Sequence, residues 1–406
     1  MTPARPEPLV ARDGRPAREL WALDPAVVHL NHGSYGGAPL ATVTERARLL
    51  AEVDRNPLRW HLGIVPRLRA ACGSIAGFLG VAADELAFVP SASAGTTAAL
   101  RGLATGGEVV LTDHAYGALA RSVQGFCERR GLRPRVVAVP LEAEAPETAE
   151  RILDAVGSRT SLVVLDQISS ATARGFPIDT IAAAAGVPVL VDAAHAPGML
   201  AQPAAVRADA WVGNLHKFAC GVRAAAVIVL RGDATRRVWP PVDSWGHDAP
   251  FPARFDEQGT LDVTAYLATA AGIVRLEREL GWERIREHQR ALLGYGREVI
   301  ADAIAAATGE DPRVRVGMPA PAMALLRLPG RLGATPAEAS ALRERISAEL
   351  GIETQLPSRD GVGYLRLSAH AYSTAEDFER VAEDMVPLLV GLLGRSGVAN
   401  EFGIVD

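Results

Sequence analysis

A chain of 406 residues, 49% hydrophobic and 22% charged, has the length for two domains of ordinary size and the apolar content for a large buried core. Its net charge of −5, with acidic and basic residues interspersed rather than gathered into basic blocks, argues against a nucleic-acid partner. Three scattered cysteines, Cys72, Cys127 and Cys220, have no metal-ligand spacing and form no even disulfide set, so no metal site is expected and a reducing compartment, the cytoplasm, is.

In chain order, residues 1–25 are rich in Pro and Arg, lack the apolar centre of a signal peptide and read as an N-terminal arm. A helical stretch at 40–53 follows. Strand-like runs then recur at 86–90, 108–112, 135–139, 161–166, 188–192, 209–213 and 224–230, with helical segments such as 94–103 between them. This alternation predicts an α/β fold, a doubly wound layer with a mostly parallel, seven-stranded sheet, making one large domain over 26–262. The Pro-rich stretch 239–252 and the segment 254–262 interrupt the pattern, and 264–280 reads as a long amphipathic helix leaving the sheet. The remainder of 263–406 predicts a smaller α+β C-terminal domain, with helices near 283–306, 336–350 and 375–393 and strands at 323–328 and 363–368. No run reaches the roughly 18 apolar residues of a spanning helix, so neither secretion nor a membrane partner is expected.

Ligands of open parallel sheets collect beyond the carboxyl ends of the strands. The segments 91–97, 113–116, 166–172, 192–195 and 214–217 each follow a strand run and would converge on one crevice. One of them holds Lys217, the only lysine among 42 basic residues. Arginine serves for surface charge anywhere, but its guanidinium is essentially never deprotonated and cannot readily form an imine, whereas a lysine of lowered pKa can. Asp192 ends a strand run 25 residues earlier. A strand-end aspartate alone is as well explained as a cap or turn former. Paired with a Schiff-base lysine, it suits the ring nitrogen of pyridoxal phosphate, a cofactor that works as an electron sink. The run Ser91-Ala92-Ser93-Ala94-Gly95-Thr96-Thr97 stands where a strand turns into a helix, and exposed N–H groups there favour a phosphate, although a plain N-cap has the same composition. The run carries neither a Walker lysine nor a G-x-G-x-x-G pattern, which lowers the nucleotide alternatives.

Several motifs occur in a fixed order: Leu30-Asn31-His32-Gly33-Ser34-Tyr35-Gly36, Thr112-Asp113-His114-Ala115-Tyr116-Gly117, Val191-Asp192-Ala193-Ala194-His195-Ala196-Pro197-Gly198, Gly213-Asn214-Leu215-His216-Lys217, Gln258-Gly259-Thr260-Leu261-Asp262 and Leu365-Arg366-Leu367-Ser368-Ala369-His370. Through them, the chain resembles the class V aminotransferase branch of fold-type I pyridoxal-phosphate enzymes, and within it the isopenicillin N epimerase-like group, over about residues 28–370. The resemblance implies that Lys217 holds pyridoxal 5'-phosphate as a Schiff base and shuttles the Cα proton, while Asp192 pairs with the pyridinium nitrogen. It puts His114 where a ring stacks on the cofactor, with Tyr116 as the competing candidate. His195 falls where the phenolic oxygen is hydrogen-bonded, with Ser169 or Ser170 assisting. Ser93, Ala94 and Gly95 would cradle phosphate with Asn214 and His216. Gly259 and Thr260 would reach the neighbouring subunit's phosphate, which implies a homodimer with a shared active site. Arg366 would grip the α-carboxylate of an amino-acid substrate through a bidentate fork. Asn31, His32 and Tyr35 would stand near that substrate, a structural turn being the equal alternative. His29, His61 and His288 lie outside these motifs and read as surface or core residues.

On the reaction, the resemblance leaves several branches. Desulfurases that form a persulfide carry a mobile cysteine upstream of the carboxylate arginine, but 353–363 has none and Cys220 follows Lys217 too closely. Epimerase-like relatives have an aromatic residue where Glu257 stands and a Ser-His-Gly run where Ser244-Trp245-Gly246-His247 stands, which implies a remodelled pocket. The reading adopted is a C–S β-lyase acting on a cysteine S-conjugate in specialised metabolism. Epimerisation, and transamination or decarboxylating oxidative deamination, are the alternatives, and a cofactor-free α/β binding scaffold is the non-enzymatic one.

Overall fold

Seven short runs of β-branched and other apolar residues make the central sheet of the computed structural model, which describes residues 3–401. In space their order is Leu86–Val89, Ala226–Leu230, Ala210–Asn214, Val189–Asp192, Thr160–Asp166, Glu108–Thr112, Arg133–Val137. Ala226–Leu230 runs antiparallel to both neighbours, and every other adjoining pair is parallel. This is the mostly parallel seven-stranded sheet expected from the sequence. Alternate residues of a strand face opposite sides. Accordingly Val189 and Val191 enter one core with Ile75 and Leu79, while Leu190 enters the other with Leu100 and Leu103. Helices cover both faces, so the central strands are buried from end to end and read as continuous apolar runs.

The C-terminal region forms the expected α+β unit. Met323–Arg327, Val362–Ser368 and Ser358–Arg359 make a small antiparallel sheet. Its core joins Leu326, Leu365 and Leu367 to Ile300, Ile346 and Phe378 of the covering helices. The helix Pro336–Leu350 begins at a reciprocal cap, in which Thr335 Oγ1 accepts from the Glu338 amide at 3.3 Å and the Glu338 carboxylate accepts from the Thr335 amide at 3.0 Å. It stops at Gly351, whose φ of 64° only glycine adopts freely. The linking helix Thr264–Glu279 packs against Leu40–Arg55 and Pro57–Leu79 of the large domain.

Three features go beyond the sequence reading. The helix Pro57–Leu79 is long and apolar enough, by length and composition, to cross a membrane, which corrects the expectation that no such run exists. Its face Leu68, Cys72, Ile75, Ala76 and Leu79 is part of the large core. Residues 3–25 run along their own chain: Leu9, Ala17, Leu20 and Trp21 are buried in that core, Arg18 reaches Asp377 at 3.1 Å, and Arg5 pairs with Glu379 at 2.8 Å and with Glu376. The short strand Val28–His29 pairs in parallel with Ile352–Glu353 and stitches the N-terminal segment into the small domain.

Trp211 is fully buried on a central strand and donates from Nε1 to Gln167 Oε1 at 2.9 Å. Trp211→Ala should cost about 3–5 kcal/mol through the cavity and the stranded amide. The measurement is the denaturant midpoint of cooperative unfolding, and Trp211→Phe should lose distinctly less.

Candidate active site

The parallel strands all end at one edge, and a cavity of about 410 Å³ opens there, a size that suits a small-molecule site. Lys217 follows the strand Ala210–Asn214 by three residues and projects into it. The loop that carries Lys217 is pinned from above by the turn after Leu30, where the Gly36 amide donates to the His216 carbonyl at 3.2 Å. A Cβ on Gly36 would stand 2.5 Å from the Lys217 carbonyl oxygen, so only glycine allows this approach. Lys217 is 7% exposed. Burial lowers its amine to about 8, the charge on Arg366 acts in the same direction, and Asp192 and Asp166 oppose both. Lys217 Nζ lies 3.1 Å from His195 Nε2 and 5.8 Å from the centre of the Tyr116 ring. Burial, then the charges of Lys217 and Arg366, hold His195 well below the usual histidine range. The neutral ring donates from Nε2 to the Gly33 carbonyl at 2.8 Å.

Two carboxylates floor the cavity. Asp192 and Asp166 are the last residues of adjacent parallel strands and stand opposite each other in register. Asp192 Oδ1 accepts from the Ala194 amide at 2.9 Å and Asp166 Oδ1 from the Tyr116 amide at 3.3 Å. Asp166 Oδ2 is buried without a partner among the described residues. Burial raises both acids. Asp166 is pushed well above the carboxylate range, with the Asp192 charge adding to burial, whereas the Ala194 amide and Lys217 hold Asp192 back. The two acids titrate as a pair, and the Tyr116 amide and Lys217 oppose burial at Asp166 as the Ala194 amide and Lys217 do at Asp192. The sequence reading noted Asp166 only as a strand end, because register between strands is not written in either strand.

At the opposite end the helix Ala92–Leu103 points its N-terminus at the cavity. Ser91 caps it by accepting from the Ala94 amide at 3.2 Å, and the Ala92 amide donates to Asn214 Oδ1 at 3.0 Å. Ser93, Asn214 and His216 line the cavity as expected, joined by Thr96, which the sequence reading left unassigned within the same run. Ala94 and Gly95 do not line it. Their amides are taken up by Ser91, and Gly95 serves close packing instead, since a Cβ there would come within 2.7 Å of Val212 Cγ1. His216 is lowered to about 4, chiefly by burial, and its Nδ1 is buried without a partner among the described residues.

Arg366 lies behind the wall formed by Asn31, Ser34 and Ser170 and is 1% exposed. Its Nη1 donates to the Ser170 carbonyl at 2.7 Å, and Nη2 donates to Asn31 Oδ1 at 3.0 Å and Ser34 Oγ at 3.3 Å. Nε has no partner among the described residues, and burial lowers the guanidinium to about 10. Gly33 leaves room for the fork, because a Cβ there would stand 2.8 Å from Nη2.

Other expected residues stand elsewhere. His114 does not face the cavity: burial lowers it to about 4, its Nε2 donates to the Val139 carbonyl at 2.7 Å and its Nδ1 accepts from Thr172 Oγ1 at 2.7 Å. The competing candidate, Tyr116, is the ring that faces Lys217. His32 is also turned away, bonded to the Tyr372 hydroxyl at 2.6 Å and to Ser373 Oγ at 3.2 Å, which is the structural-turn alternative. Asn31 and Tyr35 do line the cavity. Ser169 is buried against Thr172 and the Arg174 amide, and Ser170 takes the cavity position. Gly259 and Thr260 are exposed and do not line this protomer's cavity.

A family model for class-V aminotransferases matches residues 48–381. The isopenicillin N epimerase of Amycolatopsis lactamdurans is 28% identical, over 94% of this chain and all of that protein. A putative L-cysteine desulfhydrase 1 of Oryza sativa subsp. japonica is 27% identical, over 88% of this chain and 82% of its own. Among solved structures, the cysteine desulfurase of Thermococcus onnurineus superposes with a TM-score of 0.74 at 19% identity, covering 92% of this chain and 98% of that one. A complex of the cystine C–S lyase C-DES superposes with a TM-score of 0.74 at 17% identity, over 90% and 97%. The structural likenesses establish the shared fold, the family match covers most of the chain, and the chain belongs to the class-V aminotransferases, a family of pyridoxal-phosphate-dependent enzymes.

Proposed function

We propose that the enzyme cleaves the Cβ–S bond of a cysteine S-conjugate by β-elimination, with Lys217 as the base. The observation that carries this reading is the make-up of the cavity: one primary amine stands in it, and no thiol is among its lining residues. All three cysteines are buried and unpaired, and burial raises each thiol, that of Cys72 to about 12, so none is ready to accept sulfur. The relatives named L-cysteine desulfhydrases point in the same direction.

The residues present fit the cofactor. Asp192 would pair with the ring nitrogen and Tyr116 would stack on the ring. Ser93, Thr96, Asn214 and the unpartnered His216 Nδ1 at the helix start would hold the phosphate. Bound there, the ring supplies a sink for the electron pair left when the Cα proton departs. Arg366 would hold the α-carboxylate by exchanging for it the Asn31, Ser34 and Ser170 oxygens that now occupy its fork, leaving Lys217 Nζ to act on the Cα–H bond. An amine near 8 rather than 10.5 has a substantial neutral fraction at physiological pH, and it removes the proton. The Cβ–S bond then breaks with its electron pair on sulfur, and the Lys217 ammonium returns a proton to the leaving thiolate. Overall one water is consumed, and a thiol, pyruvate and ammonium are released.

Epimerisation is the second reading. It is favoured by the Tyr116 hydroxyl-bearing ring beside Lys217 and by the relatives named isopenicillin N epimerase. A homodimer belongs to either reading, with the exposed Gly259 and Thr260 reaching a second copy's phosphate. Trp245, 90% exposed, and Leu62, 74% exposed, offer apolar surface for that contact. The unpaired cysteines suit the cytoplasm.

Lys217→Ala and Lys217→Arg should both lose the borohydride-trapped cofactor adduct and lower turnover roughly 10²–10⁴-fold or more. Activity retained by the arginine variant would overturn the mechanism, because charge is conserved there and the amine is not. The rate at which apoprotein and pyridoxal phosphate form the coloured adduct should rise about tenfold per pH unit below about 8 and level off above it. The sign follows because only the neutral amine attacks, and a lysine at 10.5 would still be accelerating at pH 10. Incubation of holoenzyme with S-substituted L-cysteines should release pyruvate and thiol. Solvent deuterium at Cα with inverted configuration and no fragment would sink elimination in favour of epimerisation.

A further inference from the structure

We infer that the substrate carries a second anionic group, a carboxylate, on its side chain and that Arg343 receives it; this rests on the proposed action at an amino acid held by Arg366. Arg343 projects from the helix Pro336–Leu350 and lines the same cavity as Lys217, half-buried. Its guanidinium has only neutral partners, Gln355 Oε1 and Ser340 Oγ, each at 3.3 Å, and no carboxylate partner among the described residues. The nearby acids on its own helix are directed elsewhere: Glu344 accepts from Ser340 Oγ, and Glu349 is paired with Arg345 at 2.7 Å.

Gln355 links the two arginines. Its backbone carbonyl accepts from the Arg366 amide at 2.8 Å while its side chain accepts from Arg343. The small-domain wall therefore presents Arg343 to the cavity, with Arg366 buried behind Asn31, Ser34 and Ser170, and neither guanidinium has a carboxylate partner among the described residues, so an α-carboxylate held at Arg366 would leave Arg343 without one. Asp192 lies on the cavity floor with Lys217, where it would pair with the cofactor's ring nitrogen, and the phosphate would be held at the helix end Ser91–Thr96 across the cavity. With the α-carboxylate at Arg366 and Cα turned to Lys217, the substrate side chain would lie in the cavity that Arg343 lines. A planar fork held by two neutral oxygens exchanges them for a carboxylate with a gain in charge-assisted hydrogen bonding.

The test uses holoenzyme and two probes of nearly equal shape, S-carboxymethyl-L-cysteine and its neutral amide, S-carbamoylmethyl-L-cysteine, titrated by the change in cofactor absorbance. The wild type should bind the acid roughly tenfold or more tightly than the amide. Arg343→Gln should bring the acid to the level of the amide and leave the amide unchanged, and Arg343→Lys should recover part of the preference. Equal affinity of the wild type for both probes, no saturable response to the acid, or an equal weakening of both by Arg343→Gln, as a mere strut between helix and strand would give, each overturns the inference. None of these outcomes touches the imine at Lys217, which borohydride trapping reports separately.

Discussion

Everything at this site depends on keeping one primary amine out of water. Desolvation makes the Lys217 ammonium costly, and the surrounding charges decide how costly. Arg366 stands on the same side of the balance as burial, and the aspartates oppose it. Glycine is what makes the enclosure tight: Gly36 lies on the Lys217 carbonyl, and Gly198, at φ 85°, lets its loop approach the Phe218 carbonyl where a Cβ would sit 2.2 Å away. A side chain at either place would force the lysine loop to move. The amine is positioned by backbone that has been allowed unusually close.

The imidazoles around the site are neutral for the same reason. Burial lowers His114, His195 and His216 alike, so each acts as a hydrogen-bonding group rather than as a charge. Charge in the crevice is thereby confined to Lys217, the two arginines and the strand-end acids. That confinement gives the cavity a polarity, with a helix N-terminus at one end, Arg343 in the small-domain wall and acids at the floor. On the proposed reading, this arrangement would orient an amino acid with its carboxylate at the wall and its α-proton over the amine before any side-chain contact is considered.

Much of this was legible in the sequence, for identifiable reasons. The seven strands stand out because each is a short apolar run bounded by turn formers, and the rule that ligands gather at strand ends led to Asp192, Asn214 and Lys217. Three kinds of fact were not legible. His114 and Tyr116 lie two residues apart in one loop, and only the Val139 carbonyl and Thr172, brought in from other connections, show which ring turns away. The pairing of Asp166 with Asp192 is a matter of register between strands. Arg343 is one of 41 arginines, on a helix whose only distinctive sequence feature is its cap. The helix Pro57–Leu79 was not anticipated either; Pro57 opens it, where its missing N–H costs nothing, and Pro66 is carried inside it.

The stretch from Val28 to Gly36 acts as a short tether with three anchors. Its first two residues are stitched to Ile352–Glu353, Asn31 and Ser34 grasp the Arg366 fork, and Gly36 bears on the peptide that carries Lys217. A tilt of the C-terminal lobe would therefore put tension on the lysine loop with no slack between them. Arg366 and the lysine loop are in this way joined through one short stretch of backbone.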